Sequence, residues 1–173
     1  MQDAIEFGLV LWAFPALMIY AAMTDLIDRR IANWVSLALI AGFALLAIVG
    51  GMPLWQAGQH VGIALFAFAI GFAMFALGKM GGGDVKLITA SILWFGPDGA
   101  LGYALFFSLA GAAVTFVFMY MRLDKIQYLL ASNPVTRPFA GRDPSGRDIP
   151  YGVAICVGAL IAAPGLAGIH GAV

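Results

Sequence analysis

Six apolar runs separated by short polar stretches divide this chain: Ile5–Met23, Trp34–Gly50, His60–Gly78, Val85–Phe95, Ala100–Met121 and Tyr151–Ile169. A helix that crosses a bilayer needs ~20 mostly apolar residues. Every run but the fourth meets that length. Val85–Phe95 is short, so it either borrows from its flanks or sits partly re-entrant. Pro15 interrupts the first run, which a membrane helix tolerates when its neighbours satisfy the freed carbonyl. Small residues at helical spacing, such as Gly158 and Ala162, let helices approach closely and favour a compact bundle.

The polar connections carry an orientation. Arg29 and Arg30 follow the first run, and Lys79 and Lys86 bracket the start of the fourth. Arg122, Lys125, Arg137, Arg142 and Arg147 follow the fifth. These are all nine Lys and Arg residues of the chain, and the alternate connections 51–59 and 96–99 hold none. The positive-inside bias then places the basic connections in the cytoplasm and both termini outside. The alternation also counts the short fourth run as a crossing. The pattern predicts an all-α polytopic membrane protein of six spanning helices, organised as one domain over 1–173. Its one long connection, 122–150, is rich in turn formers and lies on the cytoplasmic side.

Composition narrows the picture further. Hydrophobic residues make up 62% of the chain and charged residues 10%, well under the ~25% charged of a soluble domain. The lipid bilayer is the natural solvent. With a formal net charge of zero, no basic field points to nucleic acid. Asp3 and Glu6 stand at the start of the first run where a signal peptide would carry basic residues, so that run reads as a retained span. The single cysteine, Cys156, excludes an internal disulfide. With His60 and His170 as the only histidines, the spacing offers no metal site and implies no cofactor.

Acids at membrane depth are costly and usually functional or paired. Asp25 lies just past the end of the first run and Asp84 just before the start of the fourth, so the alternation puts both at similar depth on the cytoplasmic side. Gly81, Gly82 and Gly83 precede Asp84 and predict a turn with positive φ, bare enough for an extended peptide to approach. Two carboxylates sharing a proton can cut a peptide, one activating water while the other protonates the scissile carbonyl. A plainer reading stands beside this one. Asp84 could be a helix cap, and Asp25 and Asp28 could be interfacial partners of Arg29 and Arg30.

The sequence Gly81-Gly82-Gly83-Asp84, followed by Val-Lys-Leu, resembles the GxGD motif of the type IV prepilin peptidases. Thr24–Asn33 resembles the first aspartate region of that family, and Ile149–Ile155 (IPYGVAI) resembles the proline–aromatic–glycine start of its last span. The resemblance implies an aspartic endopeptidase of the bacterial inner membrane, with periplasmic termini. It would remove the leader from prepilin and pseudopilin substrates on the cytoplasmic side. Asp25 and Asp84 match the catalytic pair, and Gly81 and Gly83 match the motif glycines. The offset to Ile31 and Asn33 favours Asp25 over Asp28, while Asp143 and Asp148 match no catalytic position. Ala32 stands where the family usually has proline. No CxxC-bearing insertion, associated with N-methylation, lies between the first two runs, as in the short peptidase-only form of tight-adherence (Flp-type) systems. Rival readings are a small proton- or cation-coupled transporter using the same acids, and a structural assembly subunit in which both acids are dispensable.

Overall fold

The computed structural model describes residues 12–121, 128, 131–134 and 149–164. Five α-helices and no strand occur among the described residues. They are α1 (Phe14–Asp28), α2 (Asn33–Val49), α3 (Leu54–Ala76), α4 (Gly82–Met121) and α5 (Tyr151–Ala162). Most of the connection 122–150 and both chain ends lie outside the described residues, with Asp3, Glu6, Asp143, Asp148 and His170 among them.

Local chemistry explains where the helices begin and end. Pro15 falls in the first turn of α1, just after a π turn at residues 12–13. Its missing N–H accounts for a local change of hydrogen-bond register there, rather than an interruption further along. α1 runs past the predicted end at Met23, so Asp25 sits in its last turns. Arg29 closes the helix in the left-handed region (φ 56°, ψ 32°), donating its N–H to the Asp25 carbonyl at 3.1 Å. The chain then extends through Ala32 (φ −67°, ψ 131°), the residue before α2. That φ lies within proline's fixed range. Ala32→Pro is therefore expected to raise stability by about 0.4–1 kcal/mol, through a less disordered unfolded chain. A rise in detergent melting temperature would show it, and a fall would mean that the Ala32 N–H is needed.

α4 is two helices joined at a break. Gly96 adopts φ 61° and ψ −170°, and Pro97 follows. A continuous helix would hold Asp84 and Thr115 about 46 Å apart at 1.5 Å per residue, yet both line one cavity. Phe95 also stacks on Tyr103 at 4.6 Å. The chain therefore folds back at Gly96, and limb 82–95 lies against limb 97–121, as the separate fourth and fifth runs imply. The His60 ring fills the space a Cβ would need at Gly96, and His60 Nδ1 lies 2.8 Å from the Leu93 carbonyl oxygen. The turn thus needs glycine both for its φ and for its lack of a side chain. Limb 82–95 is roughly 21 Å long, short of a ~30 Å hydrocarbon core.

The first limb of α4 is the centre of the molecule. Leu87, Trp94 and Phe95 are fully buried against Phe14 and Met18 of α1, Leu39 of α2 and Ile155 of α5. Trp94 donates its indole N–H to the Leu39 carbonyl at 2.9 Å and lies 5.1 Å from the Phe14 ring. Glycines permit the close contacts: a Cβ at Gly42 would come within 2.9 Å of Trp94, and one at Gly71 within 2.9 Å of Val85. Around this core the surface is apolar. Leu54 is 91% exposed, Leu101 81% and Ile48 78%, more bare hydrocarbon than a water-soluble monomer presents. α3 is long and apolar enough to cross a membrane, the second limb of α4 is roughly 37 Å long at 1.5 Å per residue, and these outward faces suit lipid.

Candidate functional site

Asp25 and Asp84 converge although α1 and α4 carry them. Asp25 is buried at 8% exposure, on the same face of α1 as Met18 and Ala21. Asp28, one turn on, is exposed, so burial separates the two candidates that share this segment. Asp84 is half-buried in the first turn of α4 and lies in the electrostatic field of the Asp25 carboxylate. The connection between α1 and α2 binds the two ends together. Ile31 packs against Gly83, and Lys86 donates to the Asn33 side-chain oxygen at 2.9 Å.

Each carboxylate is also held by its own partners. Asp84 accepts the backbone N–H of Gly81, the reach from third helical residue to cap position seen in a capping box. The plainer reading of Asp84 as a cap is thus realised, alongside its approach to Asp25. Arg29 supplies positive charge beside Asp25 and places its guanidinium 5.5 Å from the Phe118 ring centroid, tying the end of α1 to the second limb of α4. The closest partner of Asp25 is remote in sequence: Gly152 donates its N–H to Asp25 Oδ2 at 2.7 Å, in a buried bond between residues 127 positions apart. Sequence reasoning matched Gly152 to a motif but assigned it no role.

The glycines before Asp84 work differently from the expected turn. None of Gly81, Gly82 and Gly83 has positive φ; that conformation falls instead at Gly51, Gly78 and Gly96. Gly82 and Gly83 are already helical. What they require is space. A Cβ at Gly81 would meet Asp84 Oδ2 at 2.8 Å, and one at Gly83 would meet Ile31 at 3.2 Å. One at Gly82 would find only the Phe75 ring, at an ordinary 3.4 Å.

Beside Asp84 opens a groove of about 260 Å³. Ile88 forms its wall on the first limb of α4, Phe107 and Gly111 on the second, and Tyr151 and Ala154 on α5. Ser108 and Thr115 border it, but their hydroxyls donate to the carbonyls of Ala104 and Gly111 in their own helix. The groove is thus an apolar trough with one carboxylate at its edge. Cys156 is buried in α5, and no His, Cys, Asp and Glu cluster able to hold a metal occurs among the described residues.

A helical fold without strands among the described residues, exposing hydrocarbon and holding one buried and one half-buried carboxylate within each other's field, is that of a membrane-associated protein. Residues 12–117 match the type IV leader peptidase family, and the chain belongs to that family. It is also 28% identical over 163 residues to the prepilin leader peptidase/N-methyltransferase of Bacillus subtilis (strain 168), a match covering 91% of this chain and 58% of that protein. The chain thus spans little more than half the length of this curated relative. No solved structure matches it.

Proposed function

We propose that this chain is an aspartic endopeptidase that removes the leader peptide of prepilins, with Asp25 and Asp84 as the reacting pair. The observation that carries this reading is their convergence: two acids from α1 and α4, each anchored by a backbone amide, with Asp84 at the edge of an apolar groove. Membership of the leader peptidase family supports it. One carboxylate takes a proton from water as the water oxygen adds to the scissile carbonyl carbon. The other gives its proton to the carbonyl oxygen. Collapse of the tetrahedral intermediate then breaks the C–N bond, and the leaving nitrogen is protonated within the pair. Gly81 and Gly83 keep side chains out of the space around Asp84. The substrate segment next to the cut lies along the groove toward Gly111.

The finer reading is that six spans place this site on the cytoplasmic side of a bacterial inner membrane, with both termini periplasmic. The arrangement of Lys and Arg supports that orientation. The substrates are Flp-type prepilins and pseudopilins, in keeping with an uninterrupted link from α1 to α2. Co-expression with a candidate prepilin tests the reading: the pilin should lose the mass of its leader only when this chain is present. Cleavage should persist in chelators and in Cys156→Ser, because neither a metal nor the thiol takes part. An unprocessed pilin, or activity lost on chelation and restored by added metal, would overturn the assignment.

A further inference from the structure

The first amides of a helix have no partner within it, and α5 directs one of them at an acid on another helix. Gly152, the second residue of α5, donates its N–H to Asp25 Oδ2 at 2.7 Å in a buried setting. The position admits nothing larger. A Cβ at Gly152 would lie 2.8 Å from Asp25 Oδ2, 2.9 Å from its Cβ and 3.0 Å from its Cγ. Farther along α5, Gly158 lies so close to the Phe107 backbone that a Cβ has no room there either, so α5 cannot slide away to relieve a clash at its start. The closeness of α5 to α1 is thus set at Gly152.

We propose that Gly152 is a positioning residue for Asp25: its N–H engages Oδ2 as acceptor, fixes the carboxylate's rotation and leaves Oδ1 to exchange protons with water. A carboxylate oxygen that accepts a short amide bond is the poorer site for a proton, so the bond selects which oxygen reacts. The motif residue that opens the last helix therefore completes a site whose acids come from α1 and α4. This inference rests on the reading of Asp25 as a reacting acid.

The test uses the full-length chain in detergent with a prepilin peptide. Gly152→Ala keeps the N–H, but its methyl displaces Asp25 from it, so kcat should fall about tenfold, the scale on which a charge-assisted hydrogen bond acts, with KM close to parental and a lowered melting temperature. A second measurement needs no substitution at Gly152. Tyr151–Gly152 is the only Tyr–Gly pair in the sequence, so 13C-carbonyl tyrosine with 15N-glycine labelling isolates one amide signal. That signal should move across the acid limb of the pH–rate profile in the parental protein and stay still in Asp25→Asn. Asp84 and Arg29 also act on Asp25, so Asp84→Asn serves as the control and should keep the movement. An immobile signal in the parental protein, a signal that still moves in Asp25→Asn, or folded Gly152→Ala with parental kcat would each overturn the proposal. If Gly152→Ala does not fold, the amide signal decides alone. Inactive Asp25→Asn beside fully active Gly152→Ala would overturn this inference and leave the peptidase reading standing. Active Asp25→Asn would remove the reading itself.

Discussion

Asp25→Asn and Asp84→Asn should each stop leader removal, with a loss of at least about 10²–10⁴-fold, the contribution of a positioned acid or base. Asparagine keeps the size and shape of aspartate but can neither take nor release the proton. The packing partners also survive the change. In Asp25→Asn the side-chain amide oxygen can still accept from Gly152 N–H, as the carboxylate does at 2.7 Å. In Asp84→Asn it can still accept from Gly81 N–H. Both variants should therefore insert, accumulate and melt much as the parent does. Losses in the double variant should fall well short of the product of the single losses, because residues that act as a unit are strongly non-additive. Leader removal at the parental rate by either single variant would remove the paired-acid mechanism and favour an assembly subunit. A transporter that uses these acids would lose ion movement instead, and its parent would leave prepilin uncut.

How much of this site could be read in advance depends on the range of the contact. That Asp25 and Asp84 lie at similar depth on one side followed from charge alternation, because the sign of each connection is written locally, whereas their pairing came from the resemblance. The break between the fourth and fifth runs was equally local: Gly96-Pro97 interrupts the helix wherever the sequence places it. The glycines before Asp84 were legible as sites without a side chain, but not in their reason. Glycine serves equally for positive φ and for close packing, and only the fold decides: Gly83 needs the room beside Ile31, whereas Gly96 needs both its positive φ and the room that His60 fills. The bond from Gly152 to Asp25 joins residues 127 positions apart, and no periodicity or spacing encodes which acid a remote helix start will meet. The choice of Asp25 over Asp28 rested on an offset to Ile31 and Asn33. Burial of one and exposure of the other supply a reason that the segment alone does not contain.

Gly83→Val should lower cleavage by about a hundredfold, the scale on which an ångström of misplacement acts at a reacting centre, while Gly82→Ala should retain at least half of it. The two glycines are adjacent and helical, and Asp84 keeps its carboxylate in both variants, so a flexible-link role predicts the same outcome for each. The contacts separate them. A Cβ at Gly82 rests against Phe75 at 3.4 Å, and that ring is about half exposed and free to yield. A Cβ at Gly83 meets Ile31 Cβ at 3.2 Å, with its Cγ1 at 3.7 Å and Cδ1 at 3.8 Å. The two methyls of valine must then enter space that Ile31 already fills. Ile31 lies in the link that leaves α1 after Asp25, so the wedge drives the start of α4 away from the end of α1 and parts the acids. Shortening Ile31 should reverse this: Gly83→Val with Ile31→Ala is expected to recover part of the lost rate. A folded Gly83→Val protein that cleaves at the parental rate would show that the spacing of the acids does not depend on this contact. Recovery absent in a double variant that melts like the parent would place the damage elsewhere than at Ile31.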